Sequence, residues 1–296
     1  MDKDLPKIAP FQDVIYTDNP EREAWHYISQ LTSLDYVRHM IKNRIENDFH
    51  GLDSLSIGKL KAGVQGIQHC SLISKDKEVE TNANEIILLI RQAIEFYKGS
   101  KFITPDVKPI LLYYSFTRLA RVLFLSTYSQ DRSHKKMHGI KFEGDTLTCL
   151  PNGGFARFHD CYSADPSIYL NRSKFIWRSL TESECGPPSL YGLILNMRRD
   201  NRIKLKANSG MILNEHELTR EFLFVYATCH LARYEVKKWN EILEAKKSSI
   251  AWDIQRYLTS IQTMYPNLIY NRLHGIQVYF YPIEPQGMNT TTIVPD

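Results

Sequence analysis

A mainly α fold (α+β), with a helical core and a small antiparallel β meander, is what this chain of 296 residues predicts, and three observations carry the prediction. The first is the stretch from Lys108 to Gly139, KPILLYYSFTRLARVLFLSTYSQDRSHKKMHG. From Pro109 to Leu125 only Ser115, Thr117, Arg118 and Arg121 interrupt its apolar run. So apolar a helix is a central one. The second observation is a pair of further long segments with helical period, NEIILLIRQAIEFYK and ELTREFLFVYATCHLARYEVKKWNEIL. The third is a change of period past His138-Gly139 from helical to alternating, with turn residues between short runs.

In chain order, a start without a marked pattern leads to Asn19-Pro20, an N-cap followed by proline at the first helical position, opening EREAWHYISQL. A second helix is predicted over Leu34 to Ile45. From Asn47 to Lys77, with Gly51, Gly58, Gly63 and Gly66, no period is sustained, and the stretch reads as irregular with one short strand at Gln68 to Ile73. Asn82 with Glu85 three residues on resembles a capping box for the first long core helix, whose Ile86, Ile90, Ala93, Ile94 and Tyr97 make one face. Gly99 ends it, and Pro105 and Pro109 punctuate the link to the arginine-bearing helix.

After Gly139, the runs IKF, TLTCL and FARFH separated by EGD and PNGG read as the meander, since Gly144 and Asn152-Gly153-Gly154 supply the positive φ of tight turns. Ser173 to Leu180 is a short helix or strand, and Pro188 opens a helix through Met197. The basic stretch RRDNRIKLK follows and reads as a solvated edge strand protected by lysines. Asn214 with Glu217 repeats the capping-box pattern at the head of a helix expected to run on to Leu243. Ser249 caps another helix, AWDIQRYLTSIQTM, which Pro266 should interrupt before NLIYNRL. QVYFYPI alternates like an edge strand, given Pro282, and the tail from Pro285 reads as disordered.

Composition excludes several classes. A hydrophobic fraction of 43% and a charged fraction of 24% are ordinary for a globular protein, and a net charge of +4 is far below the concentrated charge of a dedicated nucleic-acid-binding domain. The five cysteines, Cys70, Cys149, Cys161, Cys185 and Cys229, are scattered and form no C-x-x-C pair, which argues against a disulfide framework and a zinc site. The N-terminus has no apolar signal core, and the longest apolar helix falls short of a bilayer span, so a cytoplasmic protein without a membrane segment is expected. Walker, G-x-G-x-x-G, G-x-S-x-G and H-E-x-x-H motifs are missing, and neither a metal nor a cofactor is expected.

Three constellations could carry chemistry. In DRSHKKMHG, Arg132 and His138 pair a guanidinium with an imidazole, a combination suited to metal-independent RNA cleavage, with Lys135 and Lys136 adding charge for a phosphate backbone. The alternative is a solvated basic loop in which His138 fixes a turn beside Gly139. In HLARYEVKKW, helical spacing puts His230 and Arg233 on one side, with Tyr226 a turn earlier and Glu235 and Trp239 close by. These are the best candidates to complete a polar ligand site with Arg118 and Arg121; the alternative is a buried Arg233 clamped by a carboxylate. Guanidinium groups keep their charge, so each must reach solvent, a carboxylate or an anion. The third constellation is the run Arg198, Arg199, Arg202, Lys204 and Lys206, which could meet a phosphate backbone without reading sequence.

In order and spacing, NEIILLIRQAIEFY, KPILLYYSFTRLARVLFL, MHGI with NGGFARF, and FVYATCHLARYEVKKW followed by YPNLI resemble the YaaC-like proteins of bacteria, over roughly Thr81 to Gly275. That resemblance implies a shared fold and no particular reaction. A second, fainter likeness is to HEPN domains, through Tyr113, Tyr114 and Phe116, then Ala120, Leu123 and Leu125, then His138-Gly139. Many HEPN proteins are RNases with Arg followed four to six residues later by His, a spacing that Arg132 and His138 fit, although Gly139 here precedes a strand rather than opening a helix.

The implied organisation is a helical and irregular segment over residues 1–77, a YaaC-like domain over 78–284 and a disordered tail over 285–296, together one compact unit. The leading expectation is a HEPN-related cytoplasmic module that binds nucleic acid or a nucleotide, with a nuclease role in defence against mobile elements. Its rival is a non-catalytic interaction or scaffold subunit. Candidate partners are nucleic acid, a protein encoded nearby and a second copy of the chain.

Overall fold

The computed structural model describes residues 12–50, 76–126, 140–143, 146–149, 175–177, 204–206, 212–214, 217–244, 249–274 and 277–282. Within these, seven helices carry the core: α1 (Pro20–Gln30), α2 (Leu34–His50), α3 (Asp76–Lys101), α4 (Lys108–Leu125), α5 (Glu217–Tyr234), α6 (Val236–Glu244) and α7 (Ser249–His274). Strand β1 (Gln12–Thr17) pairs in parallel with β7 (Gln277–Pro282). A separate antiparallel meander runs in sequence order through β2 (Ile140–Glu143), β3 (Thr146–Cys149), β4 (Phe175–Trp177), β5 (Lys204–Lys206) and β6 (Ile212–Asn214). The mainly helical class with a small antiparallel addition is therefore the observed one.

Helix α1 starts as its sequence dictates: the Asn19 side-chain oxygen accepts from the Arg22 amide at 2.9 Å, and Pro20 follows at the first helical position. Helix α3 starts earlier than Asn82 and Glu85 suggest, at Asp76, because Asn82 is buried and its amide donates instead to the carbonyl of Leu125 at 2.8 Å. Asn82 thus satisfies an orphan carbonyl at the C-terminus of α4 rather than capping its own helix. The predicted irregular stretch is also shorter at both ends, since α2 continues to His50 and α3 already begins at Asp76. The short strand expected over 68–73 lies outside the described residues, as do the turns and runs between residues 150 and 174.

Helices α3 and α4 form the most extensive pair. Ile86, Ile90 and Ala93 of α3 and Leu112, Leu119 and Leu123 of α4 are all fully buried. Ser115 donates to the Ala93 carbonyl at 2.8 Å, satisfying a hydroxyl caught between α3 and α4. On the other side of α4, Phe116 and Tyr265 of α7 stack at 4.1 Å with planes 8° apart. Tyr257 of α7 donates to the buried carboxylate of Glu221 on α5.

Three further elements depart from the sequence reading. The long helix expected to run from Glu217 to Leu243 breaks at Glu235 into α5 and α6, and Trp239 of α6 donates its indole N–H to the Asp106 carbonyl at 3.1 Å, tying the second piece to the α3–α4 link. Pro266 does not interrupt α7, which is continuous from Ser249 to His274. A proline inside a helix deprives the carbonyl four residues earlier of its donor. That carbonyl belongs to Gln262, and the indole N–H of Trp25 on α1 donates to it at 2.9 Å, so a tertiary bond replaces the missing helical one. Finally, Lys204–Lys206 is not an edge strand but sits between β4 and β6, with Leu205 paired to Trp177 and Leu213.

Strand β7 is an edge as expected. Its outer side is closed by α7: Val278 donates to the Asn271 side-chain oxygen at 3.1 Å and accepts from Asn267 and Asn271 at 2.9 and 3.0 Å. No helix among the described residues is long and apolar enough to cross a membrane.

Candidate functional site

The candidate site is a polar seam that crosses α3, α4 and α5. Spacings of four and three residues put Tyr114, Arg118 and Arg121 on one half-exposed stripe of α4, the side turned away from the core residues Phe116, Leu119 and Leu123. The register of α3 on α4 is fixed at three points: Arg121 with Glu85, Ser115 with Ala93, and Tyr114 with Phe96, whose rings stack at 5.5 Å. Arg118 therefore lies against the stretch of α3 from Ile86 to Ile94, which contains no carboxylate and carries Arg91.

The arginines accordingly have different fates. Arg121 is ion-paired to Glu85, with 38% of its side chain exposed. The Nε atoms of Arg118 and Arg121 are both buried without a hydrogen-bond partner, but among the described residues Arg118 has no carboxylate partner. Arg233 is exposed rather than buried, so the expected carboxylate clamp is not what holds it. Its guanidinium lies 5.9 Å from the ring centroid of Tyr114 and 4.9 Å from that of Tyr234. Stacking on rings orients a guanidinium without neutralising it.

His230 sits one turn before Tyr234, with ring centroids 5.1 Å apart, and its Nε2 is 3.9 Å from the Glu235 carboxylate at the break between α5 and α6. Desolvation pushes its pKa below the ordinary 6.5; Glu235 opposes this, while Arg233 and Lys238 reinforce it. The imidazole is thus neutral near pH 7 and suited to accept a proton rather than to bind phosphate as a cation. Burial pushes the Cys229 thiol up to about 12 despite the nearby Arg233, so it stays protonated and is not a nucleophile. Burial likewise pushes Tyr226 up to about 12.

The structure therefore places Arg233 against both Tyr114 and Tyr234 and His230 beside Tyr234, while Arg118 and Arg121 lie on the same stripe of α4 as Tyr114. Arg132, Lys135, Lys136 and His138 lie outside the described residues. So do Arg198, Arg199 and Arg202. Sequence reasoning missed the ring scaffold of Phe96, Tyr114 and Tyr234, and the role of Glu85. A signal existed for each: Tyr114 stands four residues before Arg118, Tyr234 adjoins Arg233, and Glu85 is the acid on the outer stripe of α3.

A family model described as YaaC-like Protein matches residues 61–166 and 157–273, which together span more than half of the chain. No curated protein and no solved structure matches.

Proposed function

The chain belongs to the YaaC-like family, and from that premise we propose that it is a HEPN-related cytoplasmic module that binds nucleic acid or a nucleotide through the α3–α4–α5 seam. The observation that carries this reading is the state of Arg118 and Arg233: one has no carboxylate partner among the described residues, and the other is held by aromatic rings. Two guanidiniums that keep their charge on one face are matched by phosphate, which each can meet with paired N–H donors. In this reading Lys135 and Lys136 add charge for a phosphate backbone. Arg132 would stabilise charge on a phosphorane and His138 would move a proton, making the module a metal-independent RNase used against mobile elements.

The test is binding of labelled RNA and DNA by fluorescence anisotropy across roughly 50 to 200 mM salt. Arg118→Met and Arg233→Met should each weaken binding and lower the log–log salt slope by about one. His138→Ala should abolish cleavage while leaving binding in place. A protein that neither binds nor cuts either polymer refutes the proposal.

A second reading, a non-catalytic interaction or scaffold subunit, is favoured by Arg121, whose pairing with Glu85 is that of a structural clamp. Co-purification of a stable partner encoded nearby, unaffected by Arg118→Met, would support it.

A further inference from the structure

The seam contains more than charge. Phe96 stacks on Tyr114 at 5.5 Å with planes 30° apart, the Arg233 guanidinium lies over Tyr114 and again over Tyr234, and His230 lies beside Tyr234. These groups form a ladder of flat faces from α3 through α4 to the end of α5. Its inner members are half-buried, whereas the outermost ring, Tyr234, is 65% exposed. A tyrosine free in solvent turns over its rotamers rapidly, but this ring is backed by the Arg233 guanidinium at 4.9 Å and flanked by the His230 ring at 5.1 Å. It is a preorganised flat surface with positive charge directly behind it.

Resting on the nucleic-acid reading above, we propose that the ligand is single-stranded nucleic acid, with an unpaired base stacked on Tyr234 and flanking phosphates met by Arg233 and Arg118. A duplex has its base faces consumed in its own stack and can meet only the two arginines. A single strand offers a π-face at every nucleotide, and stacking on an aromatic side chain accepts any base. The arginines also favour a strand over a free nucleotide. Arg118 lies one turn, about 6 Å, along α4 from Tyr114, whereas Arg233 reaches Tyr114 from α5. The two cations thus come to the ladder from different helices, an arrangement in which a chain can offer each its own phosphate.

The experiment compares three probes by anisotropy at one salt concentration: a labelled single-stranded RNA oligonucleotide, the same RNA annealed to its complement, and ATP as competitor. Wild type should prefer the single strand, and ATP should compete weakly. Tyr234→Phe, which keeps the ring, should bind as wild type does. Tyr234→Ala should lose about 5- to 150-fold on the single strand, the range for one stacked base, with duplex affinity unchanged. Equal affinity for strand and duplex, or indifference to Tyr234→Ala, overturns the stacking inference while leaving phosphate binding by the arginines intact. Full displacement by ATP overturns the assignment to a strand. Absence of binding to all three probes overturns this inference and the proposed function together.

Discussion

Replacing Trp25 with phenylalanine tests how α7 carries Pro266 without breaking. The proline nitrogen has no hydrogen to give the Gln262 carbonyl, and the Trp25 indole gives one from α1 at 2.9 Å. Phenylalanine retains a ring to stack on Tyr97, which lies 4.0 Å from Trp25 with planes 16° apart, but it has no donor. Both Trp25 and Gln262 are buried, so the carbonyl would be left without water as a substitute. An unsatisfied buried acceptor costs about 1–3 kcal/mol, and the smaller ring adds about 1 kcal/mol of lost packing. Trp25→Phe should therefore cost about 2–4 kcal/mol in urea denaturation followed by far-UV circular dichroism. The decisive step is the double-mutant cycle with Pro266→Ala. Alanine restores an amide that can bond Gln262 within the helix, so Trp25→Phe should then cost only its packing share, and the coupling should be about 1–3 kcal/mol. If Trp25→Phe costs the same in both backgrounds, within about 0.5 kcal/mol, the indole is not replacing the missing amide and the reasoning fails.

Asn82→Ala should destabilise by about 1–3 kcal/mol, because the buried Leu125 carbonyl at the end of α4 loses its donor, a loss that thermal or urea unfolding will read. Glu85→Gln should cost only about 0.2–1 kcal/mol, since both members of its pair with Arg121 are partly exposed, and the same assay checks it. Arg118→Met, which breaks no ion pair among the described residues, should change stability by less than about 0.5 kcal/mol while weakening oligonucleotide binding; the reverse pattern would make Arg118 a structural residue. For His230 the folded pKa lies below the ordinary 6.5, so the unfolded chain takes up the proton first as pH falls. Its contribution is complete above about pH 6.5 and declines as pH drops through the folded value, so His230→Gln should flatten the acid limb of urea midpoints measured from about pH 8 to 5. Identical acid limbs in the two proteins would contradict that assignment.

Much of the helical core was legible because burial leaves a period. Ile86, Ile90, Ala93 and Tyr97 repeat at helical spacing, and α4 is apolar around most of its circumference, so their place at the centre follows from composition and spacing. The Asn19-Pro20 start was legible because capping is local chemistry. Boundaries that depend on distant partners were not. Asn82 has the spacing of a cap, yet the end of α4 claims its amide. Glu235 interrupts a run of strong helix formers, and Trp239 beyond it donates to the distant Asp106 carbonyl. The basic strand Lys204–Lys206 reads as an edge by composition, but its position in the sheet depends on β4 and β6.

The same division runs through the site. The sequence by itself determined that Arg118 and Arg121 share one stripe of a core helix, that His230 and Arg233 share another, and that these charges could not be lost by deprotonating the arginines. Only the tertiary structure decided which charge is answered. Helix register places Glu85 against Arg121 and an acid-free stretch against Arg118, and the approach of α5 lays Arg233 on Tyr114 and Tyr234. Periodicity is a property of one helix and survives in its sequence. The partner of a charged group is a property of two helices packed in a particular register, and it exists only once they meet.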